Sequence, residues 1–187
     1  MSEHGHIDPA NKKIALLISV LALVLAFSET LGKGAQTAAL SLNIESSNLW
    51  TFFQAKTIRS TTLRTAAETL EVELAQVSGP EQREAMHKRI ADWKATVARY
   101  DSEPETQEGR KELAARAKAA EGRRDRSLAA YHNYELASAA IQIAIVLASA
   151  EIITGVALLG WIAGGLGLVG LVFCCLGFFA PTAVHLF

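Results

Sequence analysis

Residues 35–55 read AQTAALSLNIESSNLWTFFQA, and the fold turns on where this stretch sits. It carries one charge, Glu45, in 21 positions, and ends in an aromatic cluster of Trp50, Phe52 and Phe53. Lys56, Arg59 and Arg64 follow at once. Aromatic residues backed by basic ones mark the point where a membrane helix meets the cytoplasmic interface. Gln36, Asn43, Ser47, Asn48 and Gln54 nevertheless make the stretch too polar to face lipid alone. It is either a membrane helix shielded by other protein or a helix lying in the interface.

Upstream, Lys12 and Lys13 precede an apolar run from Ile14 to Phe27. A helix continued to Leu31 would reach about 27 Å, enough to cross a hydrocarbon core. Phe27-Ser28-Glu29-Thr30 offers no small-x-small cleavage site, so the run reads as an uncleaved anchor. Gly32-Lys33-Gly34 sets two helix breakers around one charge and predicts a short hairpin. Residues 1–13 form a polar tail. His4, His6 and Asp8 are three potential metal ligands there, and a solvated tail is the stronger reading.

Downstream, Ala35, Leu42, Leu49, Leu63, Leu70 and Val77 fall at sevenfold spacing, with Ala38, Phe52 and Ala66 three residues later. Lys56 interrupts the first series, and Glu45, Arg59 and Glu73 the second. One long, coiled-coil-like helix over 35–77 is the simplest reading. Ser78-Gly79-Pro80 ends or kinks it. Ala85, Met86, Ile90, Trp93, Val97 and Tyr100 predict a second amphipathic helix, and residues 101–104 a turn. A third helix carries Leu113, Ala117, Ala120, Leu128 and Tyr131 on one face. Both ends of this polar module must return to one bilayer, which three equal antiparallel helices would not do. The sequence therefore favours a kink at Gly79-Pro80 and a hairpin tip at Asp101–Pro104, with an oblique middle helix as the alternative.

Residues 137–159 form the next span, with Glu151 as their only charge, and Tyr131 and Tyr134 stand near its start as interfacial aromatics. Gly160 to Gly165 offers a tight turn before a last span over 162–184, although Gly160 and Gly164 also match a small-xxx-small packing pattern. Lys12 and Lys13 favour a cytoplasmic N-terminus, and Arg123, Arg124 and Arg126 a cytoplasmic stalk. Three spans cannot satisfy both preferences. Making 35–55 a crossing does, so four crossings are favoured over three. The expected fold is all-α: an integral membrane protein with transmembrane helices at both ends and a long helical stalk between them. Its parts are a tail (1–13), an N-terminal membrane region (14–55, with a span at 14–31 and a polar segment at 35–55), a stalk (56–136) and a C-terminal membrane hairpin (137–187).

A net charge of −1 gives no support for a nucleic-acid partner. Cys174 and Cys175 are adjacent inside an apolar run and build neither a disulfide framework nor a metal site. Nucleophile elbow, phosphate loop and zinc-ligand spacing find no match, so neither enzyme activity nor a cofactor is expected. The chemistry-bearing candidates are ionisable groups at membrane depth, which are costly there and face a partner or water. Glu45 and Glu151, with Asn43, Asn48 and Gln142, make a candidate intramembrane polar site, either a proton or cation site or a hydrogen-bonded lock that also draws on Ser149. Glu29 and Lys33, one turn apart, make a candidate interfacial ion pair.

The stretch Glu29-Thr30-Leu31-Gly32-Lys33 through Asn48-Leu49-Trp50-Thr51-Phe52-Phe53-Gln54-Ala55-Lys56-Thr57-Ile58-Arg59 resembles a bacterial membrane-protein family, the domain of unknown function forty-three thirty-seven. The resemblance covers almost the whole chain. It implies a bacterial inner-membrane protein and transfers no activity, cofactor or catalytic residue. The expected role is a homo-oligomeric assembly in the lipid bilayer that presents helical stalks to a cytoplasmic partner. The alternative is a channel or transporter component with a polar path lined by 35–55.

Overall fold

The computed structural model describes residues 9–184. They form four helices: α1 (Pro9–Leu74), α2 (Pro80–Asp101), α3 (Arg110–Thr154) and α4 (Ala157–Phe179). Two compact units result, one from the residues up to Leu40 together with those from Arg123 onward, the other from Ser41–Gly122. Three helices, α1, α3 and α4, are long and apolar enough to cross a membrane.

The expected hairpin at Gly32-Lys33-Gly34 does not form, because α1 passes through it unbroken. Two helical glycines cost about 1 kcal/mol each, and packing outweighs that penalty. Gly32 is buried, and a methyl group on it would meet Tyr134 Cβ at 3.3 Å, so the missing side chain lets α1 approach α3. Residues 35–55 are thus a continuation of the first apolar helix. The fourth crossing lost its physical basis with the hairpin.

In the first unit α3 lies against both α1 and α4. Its buried residues Ala137, Ile141, Ala144 and Ala148 recur at four, three and four, a stripe of mostly small side chains that admits close neighbours. The buried residues of α4 are smaller still: Ala163, Gly167, Gly170 and Gly177. Leu21 of α1 packs at Gly167, Ile141 at Gly170 and the Tyr134 ring at Gly177. Small residues on both faces let the backbones approach closely, and the contacts hold by van der Waals fit. Polar clasps add to it. The buried Ser28 hydroxyl donates to the Tyr134 carbonyl at 3.0 Å and accepts from Ser138 at 3.2 Å. Asn133 donates to the Pro181 carbonyl at 3.0 Å, fixing the segment just beyond α4.

The predicted turn at Gly160–Gly165 is helical. The break falls earlier, at Gly155, whose φ of +70° favours glycine, and the last apolar helix is α4 over 157–179 instead of 162–184. The third helix and most of the span expected at 137–159 are one element, α3, which ends at Thr154.

In the second unit the chain reverses at residues 75–79, with Pro80 opening α2 where its missing N–H costs nothing. Ala67, Leu70 and Leu74 of α1 pack on Met86, Ile90 and Trp93 of α2. Further back along α1, Leu49, Trp50, Phe52 and Phe53 pack on Leu113 and Ala117 of α3. Both α2 and the start of α3 therefore run back along α1. Residues 102–109 join two helices of the same direction, and the tip expected at Asp101–Pro104 lies at 75–79 instead. The parity problem vanishes, since one reversal returns the chain to its starting side. Leu49, Phe52 and Leu70, members of the sevenfold seam, are spent on α2 and α3 of the same chain.

Candidate functional site

Glu112, in the first turn of α3, ties that helix to the start of the 102–109 connection. Its carboxylate accepts from the Ser102 hydroxyl at 2.7 Å and from the Glu103 N–H at 3.1 Å. The Ser102 hydrogen bond holds this carboxyl below its usual range, against some opposing desolvation. Arg110 donates to Asp101 at 2.8 Å and lies 5.4 Å over the Phe53 ring.

The side chain that joins this connection to α1 is Lys56, 5% exposed. Its ammonium stands 3.5 Å from Glu103 and 3.8 Å from Glu108, and 5.2 and 5.6 Å from the ring centres of Phe52 and Tyr100. A charge this deep survives only with partners, and it has two carboxylates and two aromatic faces. Periodicity scored Lys56 as an interruption of the seam. Phe52 one turn before it, on the same face, was the available signal.

The proposed intramembrane set is divided. Asn43, Glu45 and Asn48 are exposed on the α1 portion of the second unit. Gln142 and Glu151 belong to the first. Gln142 donates to Glu29 at 3.3 Å, so the Glu29 carboxylate engages α3, while Lys33 is exposed one turn along. Both line a groove of about 410 Å³ with Ser28, Tyr131, Tyr134 and Ser138. Ser149 donates to its own helix, to the Ile145 carbonyl. Glu151 lies against α4, where a methyl group on Gly160 would collide with its carboxylate. Its Oε2 is buried and has no hydrogen-bond partner. His4, His6 and Asp8 lie outside the described residues. No group of three or more His, Cys, Asp or Glu able to hold a metal occurs among the described residues.

Residues 10–180 match the family model described as a domain of unknown function, DUF4337. The chain belongs to the DUF4337 family. No curated protein matches it, and no solved structure does. The DUF4337 match spans all four helices, so the Lys56 cluster, the Ser28 clasp and the Glu151 contact all fall within it. What the described residues of this DUF4337 chain offer chemically is a packed apolar bundle with an orphaned carboxylate oxygen on Glu151 and a polar helical module with a long outer helix face.

Proposed function

We propose that this DUF4337 chain is a membrane-anchored interaction protein whose helical module pairs with a second copy through the outer face of α1. One observation carries the reading. Ile44, Thr51, Ile58, Thr65 and Val72 recur at sevenfold spacing and all are exposed, Ile58 and Val72 at 67%. Two residues on, about 200° round the helix, Ser46, Ser60, Ala67 and Leu74 are buried. The outer line is thus a second seam, opposite the one used within the chain, and it bears no charge although Glu45, Arg59 and Glu73 stand beside it.

A sevenfold period fits another helix. Copies inserted in one membrane are parallel, so identical residues meet across a twofold axis. Asn48 beside the seam suits a register-setting role. Anchoring raises the effective concentration, which lets a threonine-rich seam suffice. In lipid nanodiscs the chain is expected at a multiple of its 20.1 kDa mass, and Ile58→Arg is expected to reduce it to single copies with unchanged helicity. A wild type found only as single copies, or an Ile58→Arg variant that stays associated, overturns the reading.

The membrane topology that accompanies it has three crossings, by α1, α3 and α4, in the inner membrane of a bacterium. Lys33, Arg123, Arg124 and Arg126 outnumber Lys12 and Lys13, which supports a cytoplasmic polar module and a start of α1 on the far side. In a variant lacking Cys174 and Cys175, Lys33→Cys and Pro104→Cys are expected to react with a thiol reagent from the same, cytoplasmic side. Labelling from opposite sides would require a further crossing and end the three-helix topology.

A further inference from the structure

The starts of α1 and α4 and the end of α3 enclose a groove of about 650 Å³, lined among others by Lys13, Leu17, Glu151, Gly160, Trp161 and Gly164. Most of its wall is apolar, and two opposite charges face it. The carboxylate rests against the bare backbone of Gly160 because no side chain occupies that space. Its Oε2 is shut off from solvent and accepts no hydrogen bond. That oxygen is covered by α4, and the Glu151 side chain as a whole lines the groove opposite Lys13, so the carboxylate gives the groove one acidic wall.

The groove also lies at a particular depth. Glu151 is three residues from the end of α3, Ala157 opens α4, and Lys13 precedes the apolar run of α1. Trp161, 82% exposed, is placed as an interfacial tryptophan is. On the three-crossing topology this is the headgroup level of one leaflet.

We infer that this groove binds the headgroup of a primary-amine phospholipid, of the phosphatidylethanolamine type. The ammonium donates an N–H to the Glu151 carboxylate on its groove side, the phosphate accepts from the Lys13 ammonium, and the glycerol and acyl chains run along Leu17 and the α4 surface. The order of charges sets the class. An anionic lipid would satisfy Lys13 and leave Glu151 repelling it. A choline headgroup carries the right charge and can sit on Trp161, but its quaternary nitrogen has no N–H to give the Glu151 carboxylate. A primary amine alone meets both demands.

The test uses the full chain in detergent with an equimolar mixture of phosphatidylethanolamine, phosphatidylcholine and phosphatidylglycerol, and counts retained lipids by native mass spectrometry. The wild type is expected to prefer phosphatidylethanolamine to phosphatidylcholine about tenfold, the worth of one hydrogen bond to a charged group. Glu151→Gln, which keeps shape and loses charge, is expected to abolish that ratio. Lys13→Gln, at an exposed position that leaves the fold alone, is expected to lower retention of both lipids about threefold and leave their ratio intact. Equal retention of the three lipids, preference for phosphatidylglycerol, or an ethanolamine preference that survives Glu151→Gln each overturns the site. Release of the protein from membranes without detergent would fail the membrane topology itself, a separate result.

Discussion

Replacing Lys56 by alanine is expected to cost the helical module about 3 kcal/mol, the low end of what breaking a buried ion pair costs. Three losses add. The four-carbon stem leaves a void at a position 5% exposed. The two aromatic contacts, at 5.2 and 5.6 Å, disappear. Two carboxylates lose their shared cation. Glu103 retains Arg99 at 3.8 Å, and the Glu108 side chain is half exposed and can turn to water, which keeps the figure at the low end. Lys56→Met separates the causes, because it keeps the stem and removes the charge. A loss of about half as much is expected from it, and Glu103→Gln with Glu108→Gln in the same chain is expected to restore most of that. Urea unfolding followed through Trp50 and Trp93, both in this unit, supplies the measurement. A Lys56→Ala variant within 1 kcal/mol of wild type would mean that the cluster is not what holds the 102–109 connection to α1.

That lysine also marks where sequence reading ran out. Apolar runs, Pro80 and the 101–104 break were legible, because each acts through the local backbone: proline at a helix start, small polar residues at a helix end, charge-free length for a span. Partnership was not legible. The sevenfold series through Leu49 and Leu70 did identify a buried face, but a period says that a face is covered and not by whose residues. The seam with the better claim on another copy, through Ile44, Ile58 and Val72, alternates with threonine and so scores poorly on hydropathy. Glycine was the other ambiguity. Gly32, Gly155 and Gly160 are alike in the sequence, yet one permits a close helix approach, one adopts a positive φ and one accommodates a carboxylate. Only neighbours distinguish these uses. The candidate site suffered for the same reason: once the 32–34 hairpin is replaced by continuous helix, Glu45 and Glu151 no longer belong to one unit, and the orphaned oxygen that singles out Glu151 is a fact of packing alone.

Gly170→Leu is expected to be the most damaging single substitution in the apolar bundle, at 3 kcal/mol or more, about the upper end of what overpacking costs. A methyl group alone at this position would stand 2.5 Å from Ile141 Cγ1, 3.0 Å from its Cδ1 and 3.1 Å from the Ala137 carbonyl oxygen. Ile141 is itself fully buried and the carbonyl belongs to the α3 backbone, so neither can yield without moving the helix. Even Gly170→Ala is therefore expected to cost about 2 kcal/mol. Gly167→Ala meets chiefly the terminal methyl of Leu21 at 2.6 Å, with the next atoms at 3.7 Å and beyond, so a side-chain rotation relieves most of it. Gly164→Ala meets nothing within 4 Å and is expected to be neutral or slightly stabilising through helix propensity. On the proposed membrane topology the order of cost, 170 above 167 above 164, follows from geometry alone, because in lipid no gain in apolar area offsets a poorer fit. Thermal unfolding of the four variants in one detergent reads that order directly. If Gly170→Ala proved as harmless as Gly164→Ala, α3 and α4 would not pack through their small-residue faces, and the groove at Glu151, which these two helices line together with α1, would lose two of its walls as well.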